Sequence, residues 1–241
     1  MEYGLQMWSV RDAAEKDLAN ALKNVAEIGY KYIEFAGFFN HPAEEVKAML
    51  DEYGLVCSGT HSSLADLDND FAATVKYHKT LGNKNFIIGG GFDTKEQLDA
   101  TIGQINRYQP MLAAEGITLG YHNHDREFKP NKDGQIPHNE FEARTSIKFE
   151  IDTYWVFVAG CDPIGTVTRL KDMNRIEFIH LKDGTRDRKG LALGEGEAPV
   201  SAVRAKAIEL GLRMIIESEG LQPTGLEEVT RCMKYLRSLE K

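Results

Sequence analysis

Runs rich in apolar and β-branched residues recur along the chain at 3–10, 32–36, 56–61, 85–89, 117–123, 147–154, 176–181 and 213–217, and each reads as a short strand. The stretches between them carry helical spacing. Leu18, Leu22, Val25 and Ile28 mark one apolar stripe and Val46, Met49 and Leu50 another, closed by Gly29 and Gly54. Later helices are expected over 71–81, 95–115, 203–210 and 227–239, with Gly82, Gly116 and Gly211 ending the first three. Eight strand-plus-helix units in 241 residues average about 30 residues each, the size of a βα unit with short connections. That arithmetic favours a single closed (β/α)8 barrel over 1–241. A doubly wound open sheet would use fewer strands and a glycine-rich phosphate turn after the first, and no such turn is present. One segment breaks the rhythm: 125–139, with Pro130, Gly134 and Pro137, reads as a long loop after the fifth strand, and long loops often serve sites.

In such a barrel the active site forms where the strands end at their C-termini. Those ends are strongly polar here. Gln6, Trp8 and Arg11 close the first, Glu34 lies on the second, His61 on the third, His122 and His124 on the fifth and Asp152 on the sixth. His180, Lys182 and Asp183 close the seventh, and Glu217 and Glu219 the eighth. A lone histidine is most often structural. Several imidazoles and carboxylates converging on one mouth are different, because they repel or carry large desolvation costs unless a cation or substrate organises them. Strand alternation would point His122 and His124 to one side, and Glu150 and Asp152 likewise. Mixed imidazole and carboxylate groups suit one divalent metal ion of the Mn, Co or Zn kind better than calcium, which takes oxygen ligands. The expected ligands are Asp152, His180 and Glu217, with a fourth from strand five.

Composition narrows the classes further. With 42% hydrophobic and 27% charged residues the chain has an ordinary globular make-up, and no apolar run approaches the roughly 20 residues that span a bilayer. No membrane association is expected. A balance of 29 Lys+Arg against 37 Asp+Glu gives −8, which repels phosphate backbones, and no basic cluster offsets it, so nucleic acid is not an expected partner. Cys57, Cys161 and Cys232 lie far apart with no CxxC pair, which argues against a disulfide framework or a cysteine zinc site. No leader pattern opens the sequence, so a cytoplasmic location is the default expectation. Self-association into a homo-oligomer stays open.

The strand ends also read as phrases: Gln-Met-Trp-Ser-Val-Arg-Asp (6–12), Tyr-His-Asn-His-Asp-Arg-Glu-Phe (121–128), Glu-Ile-Asp-Thr-Tyr-Trp (150–155), His-Leu-Lys-Asp (180–183) and Ile-Glu-Ser (216–218). Together they resemble the xylose-isomerase-like TIM-barrel superfamily, in its sugar phosphate isomerase/epimerase branch, over the whole chain. The resemblance implies a TIM barrel with one divalent metal held from strands five to eight, matching His122 or Glu127, Asp152, His180 and Glu217. Much of the superfamily has a glutamate where strand five ends. Here His122 stands there, so either it replaces the carboxylate or Glu127 folds back from the loop; His122 is preferred because it lies on the strand.

In the glutamate-bearing epimerases two carboxylates relay protons through a metal-bound enediolate, so the change leaves His124 and Glu127 to act as base. The implied activity is isomerisation or epimerisation of a small-molecule sugar or keto-sugar. The same parts could eliminate water, which makes a keto-sugar or cyclitol dehydratase or hydratase the alternative. A related DNA-repair endonuclease would need several metals and a basic surface. A non-catalytic sugar-binding barrel would have no need of three ligand-type residues at corresponding strand ends. Lys182 is expected to bind a substrate oxygen or polarise a carbonyl, or else to pair with Asp183. Trp8 and Trp155 are expected to face a sugar or to cap the core, and Glu34 and His61 to meet substrate. Arg11 would bind a substrate phosphate or carboxylate, or pair with Asp12 or another neighbour. Gly89–Gly91 and Gly194–Gly196 read mainly as turns.

Overall fold

A computed structural model describes residues 1–240. Eight parallel strands, β1 (Gly4–Gln6), β2 (Tyr32–Ala36), β3 (Val56–His61), β4 (Asn85–Ile88), β5 (Thr118–His122), β6 (Lys148–Asp152), β7 (Ile176–Leu181) and β8 (Arg213–Ile216), form a closed barrel ringed by helices. Gly4 closes it, opposite Tyr32 of β2 on one side and Ile215 of β8 on the other. The fold is thus a single (β/α)8 TIM barrel.

Alternation along each strand divides the apolar residues into two sets. Leu5, Ile33, Phe35, Phe86, Ile88, Leu119, Phe149, Ile151, Ile179 and Ile216 join the large core between strands and helices. Ile87, Phe178 and Ile215, with Tyr32 against them, form a separate small plug. Gly4 and Gly120 make room for it, since a Cβ on either would run into the Cδ1 of Ile215 or Ile87. Beyond this plug the inward positions are almost wholly polar.

Helix boundaries follow local capping. Gly29 and Gly82, at φ of 109° and 74°, end the helices Leu18–Ile28 and Leu64–Leu81 in the left-handed conformation that glycine adopts freely. The second of these begins seven residues before the expected 71, because Ser63 and Asp66 form a capping box; a break at Asp70 then separates its two parts. The first strand stops at Gln6 and not at residue 10. The Gln6 side chain accepts the Trp8 N–H at 3.1 Å and starts a 3-10 turn, Met7–Val10, followed by the helix Arg11–Ala14. The sixth strand stops at Asp152, whose Oδ1 accepts the Tyr154 and Trp155 amides at 3.0 and 3.1 Å and begins the helix Thr153–Val158. Within the expected loop 125–139, Arg126–Phe128 forms a 3-10 turn and Pro137 opens the helix Pro137–Arg144.

His138 on that helix is buried between Phe128 and Phe149, at ring-centroid distances of 4.5 and 4.8 Å, and its Nε2 has no hydrogen-bond partner. Burial holds its pKa down to about 4, against an ordinary value of 6.5. Between those two pH values the unfolded chain binds a proton at this position that the folded chain does not. Its contribution to stability is therefore complete above pH 6.5 and is lost progressively as pH falls toward 4, by on the order of 3 kcal/mol. His138→Phe, which keeps the ring stack and removes the titrating group, is expected to flatten the fall of Tm between pH 7 and 4. Parallel Tm profiles of the two proteins would exclude this account.

Candidate active site

The polar layer begins directly above the plug. Glu34 of β2 is fully buried, and its Oε1 accepts from Gln6 Nε2 at 2.6 Å and lies 2.7 Å from His180 Nε2 and 3.1 Å from His61 Nε2. Glu150 of β6, equally buried, places Oε2 at 2.8 Å from His61 Nε2 and Oε1 at 3.2 Å from His180 Nε2. The rings of His61 and His180 stack at 5.4 Å and 9°. Burial alone would discharge the two histidines, but Glu34 and Glu150 reverse it, carrying His61 up to about 10 and His180 well above its usual range. Burial raises the Glu34 carboxyl as well, yet His180 and His61 bring it well below the normal carboxylate value. Glu150, under the same burial and facing Glu34, is raised.

A second layer lies toward the mouth and shares His180. Its Nδ1 is 3.3 Å from Glu217 Oε2 and 4.0 Å from Asp152 Oδ2, and His122 Nε2 stands 3.7 Å from the same Asp152 oxygen. Ligand-type atoms of His122, Asp152, His180 and Glu217 all lie within 4.8 Å of one another, and those of His61, His122, Glu150 and His180 form an overlapping group. Glu127 belongs to neither group among the described residues. His122 Nε2 and Asp152 Oδ2 are buried without hydrogen-bond partners. Burial, with His180 and His61 nearby, keeps His122 well below its usual pKa and so neutral, with one ring nitrogen carrying a lone pair. Two unpartnered donor atoms in a set of two imidazoles and two carboxylates fit a divalent ion of the first transition row.

Lys182 is buried beside this set, with Nζ 3.2 Å from Glu217, 3.9 Å from Asp152 and 2.6 Å from Glu219, over the Trp155 ring at 4.8 Å. Burial opposes its charge, and Glu217, Asp152 and Glu219 more than restore it. Its partner is not Asp183, as one reading of the sequence had it. The Asp183 carboxylate instead accepts the amides of Gly184, Gly194, Gly196 and Ala198 at 2.8 to 3.1 Å, which shapes the 194–196 turn around it. Arg11 engages a neighbour other than Asp12: it donates to the Trp8 carbonyl at 2.7 Å and stacks 4.6 Å from that ring, while Asp12 accepts the Gly225 amide.

β5 ends at His122, so His124 lies past the strand and its direction does not follow from alternation. Its ring meets His122 edge-on at 5.2 Å and Trp155 at 5.5 Å. The His124 amide, not the ring, donates to Glu127 Oε2 at 3.0 Å, and Tyr121 Oη donates to Glu127 Oε1 at 3.2 Å. Burial pushes the Glu127 carboxyl up to about 7. Trp8 is 44% exposed in its 3-10 turn and free to meet a ligand, whereas Trp155 is 8% exposed on a helix.

Residues 22–239 match the family model for the xylose isomerase-like TIM barrel. The chain belongs to the xylose isomerase-like TIM barrel family. Within that family it is similar to a sugar phosphate isomerase/epimerase from Parabacteroides distasonis, at 24% identity and a TM-score of 0.82, covering 98% of this chain and 93% of the other. It is also similar to the D-psicose 3-epimerase of Clostridium cellulolyticum H10, solved with D-tagatose, at 14% identity and a TM-score of 0.75 over 99% of both chains. A third is a xylose isomerase-like TIM barrel protein from Mycobacterium smegmatis, solved in complex with magnesium, at 16% identity and a TM-score of 0.68 over 99% and 96%. No curated protein matches the sequence. No helix among the described residues is long and apolar enough to cross a membrane.

Three participants escaped assignment from the sequence: Glu150, Gln6 and Glu219. Glu150 shares a face with Asp152, which was a usable signal; Gln6 and Glu219 stood at strand ends without a stated chemistry. The geometry separates the two candidates from strand five and its loop. His122→Ala is expected to lower bound divalent metal at least tenfold while Glu127→Ala leaves it unchanged, measured by elemental analysis of the purified proteins. Loss of metal in Glu127→Ala with retention in His122→Ala would reverse the assignment.

Proposed function

We propose that this protein is a metal-dependent enzyme that isomerises or epimerises a sugar or keto-sugar by removing a proton beside a carbonyl. The observation that carries the reading is the donor set of His122, Asp152, His180 and Glu217 at the open end of the barrel, with two of its atoms buried and unpartnered. The neighbouring folds that bear isomerase and epimerase names support it. A divalent ion of the Mn, Co or Zn kind, held by His122, Asp152, His180 and Glu217, would supply positive charge that stabilises the negative charge developing on the substrate as the proton leaves.

The chain's own groups provide the rest. His124, past the end of β5 and beside Trp155, takes the α-proton on its ring and returns it to the substrate. Burial lowers its pKa, which keeps the ring neutral and able to accept that proton. Glu127 fixes the His124 backbone through the Oε2 bond and holds the base in place. Lys182 donates to a substrate oxygen as negative charge develops, from an ammonium kept charged by Glu217, Asp152 and Glu219. Trp8 offers an exposed ring to the apolar C–H side of a sugar. Returning the proton from His124 to the neighbouring carbon gives isomerisation, epimerisation requires a second group to deliver a proton to the opposite face of the same carbon, and loss of a β-hydroxyl gives dehydration.

His124→Gln is expected to keep its metal and substrate binding but to lose exchange of the α-proton by roughly 10²-fold or more, followed with keto-sugars, including 3-keto-glucosides, in deuterated water. Exchange at the parental rate in the metal-loaded variant would move the base to Glu127.

A further inference from the structure

His180 is the one side chain that belongs to both polar layers, with Nδ1 toward Glu217 and Asp152 and Nε2 toward Glu34 and Glu150. An imidazole coordinates through a nitrogen that has lost its proton, and the proton it keeps sits on the other nitrogen. Which nitrogen faces the metal is therefore decided by what receives the proton at the far side. The nearest acceptor is Glu34 Oε1, at 2.7 Å from Nε2.

Glu34 itself has no freedom to offer anything but an acceptor. Gln6 accepts the Trp8 amide on Oε1 at 3.1 Å, and this leaves its Nε2 as the end that meets Glu34 Oε1 at 2.6 Å. Trp8 N–H can only donate, so the sense of the whole chain is set from the backbone inward: Trp8 amide to Gln6, Gln6 to Glu34, and His180 to Glu34. Glu34, Gln6 and His180 are all fully buried, so water does not compete for these bonds.

We infer that Glu34, held by Gln6, is a positioning residue that keeps the proton of His180 on Nε2 and presents Nδ1 to the cation. The inference rests on the metal site proposed above. It also gives Glu34, expected from the sequence to touch substrate, a place beneath the ligands and out of the substrate's reach. The device ties ion binding to the 3-10 turn that carries the exposed Trp8 ring. Outward-facing carboxylates commonly hold metal-bound histidines in this way, and their loss costs about 10- to 100-fold in metal affinity.

The test uses the full chain and Zn2+. In 15N-labelled, Zn2+-loaded protein the His180 ring is expected to show a protonated Nε2 and a metal-shifted Nδ1. In the metal-free protein its Nε2 proton is expected as a downfield, slowly exchanging resonance that is absent in Glu34→Ala. Zn2+ affinity by competition with a chelator is expected to fall about 10- to 100-fold in Glu34→Ala and in Gln6→Leu, and by less in Glu34→Gln, which still offers a carbonyl oxygen. Should Glu34→Ala fail to fold, Gln6→Leu and Glu34→Gln carry the affinity measurement. Parental affinity in these variants, or Zn2+ on Nε2, overturns the inference. If the parent protein takes up no Zn2+, the proposed metal site falls and the inference with it, whereas Zn2+ uptake by the parent with parental affinity in the variants overturns the inference alone.

Discussion

Four carboxylates, those of Glu34, Glu150, Asp152 and Glu217, are buried inside one barrel, and this sets the terms for the rest of the interior. Each would carry a desolvation cost of several kcal/mol if left alone. Three nitrogen bases, His61, His180 and Lys182, stand between them, and every one touches at least two of the carboxylates. Because each base is shared, the network is a unit: removing one base weakens the pairing of at least two anions. Two of the carboxylates also take neutral donors: Glu34 accepts from the Gln6 side chain, and Asp152 accepts the Tyr154 and Trp155 amides. What the network leaves unpaired is as informative as what it pairs, since the orphaned His122 Nε2 and Asp152 Oδ2 face each other at 3.7 Å on the mouth side.

Carboxylates also fix the loops around the mouth, here by accepting backbone amides. Asp183 gathers four such amides from the connection after β7. Glu228, reaching from the last helix, accepts the amides of Gly220 and Gln222 and the Ser218 hydroxyl just past β8. Asp125 takes Lys129 at 2.6 Å and also Arg188, and so joins the segment after β5 to the one after β7. Site loops with their own side-chain anchors can hold a constellation to the tolerance that catalysis needs without being packed into the core. The anchors also explain why a sequence reading finds so many acidic residues near the strand ends: only some of them face the cavity.

The barrel was legible because its signal is repeated. Eight strands alternate with helices at nearly constant spacing, and an error in one boundary leaves the count intact. The convergence of His122, Asp152, His180 and Glu217 was legible for a related reason, since chain order places them at neighbouring strand ends and the fold brings their ligand-type atoms within 4.8 Å. Strand ends were less legible. Gln6 and Asp152 each stop a strand by turning a side-chain oxygen back onto following amides, a choice made by local geometry in a β-prone run that periodicity would continue. Glu34 was placed on its strand, but its partners Gln6, His61 and His180 were not legible. Depth depends on how strands are staggered around the barrel, and the pairing of Gln6 with Glu34 and of Asp152 with His180 is a tertiary fact that no local pattern carries. The partner of Lys182 could not be read either, because Asp183 next to it in sequence is turned away by four backbone amides.

The histidine at the end of β5 acquires a reason from this charge balance. With His122 neutral, the mouth-side set offers two carboxylates and two imidazoles, so a dication bound there would be matched in charge by Asp152 and Glu217 alone. A glutamate at 122 would add a fifth buried carboxylate to an interior whose cations already serve four, and Lys182 and His180 could not satisfy it without giving up Glu217. An imidazole avoids that cost and still contributes a lone pair. The exchange has a chemical consequence, because a carboxylate ligand could double as a proton acceptor beside the ion whereas a coordinated imidazole cannot. In the proposed reaction, proton transfer would then fall to groups just beyond the ligands, and on the β5 side the chain supplies His124 and Glu127 within five residues of His122.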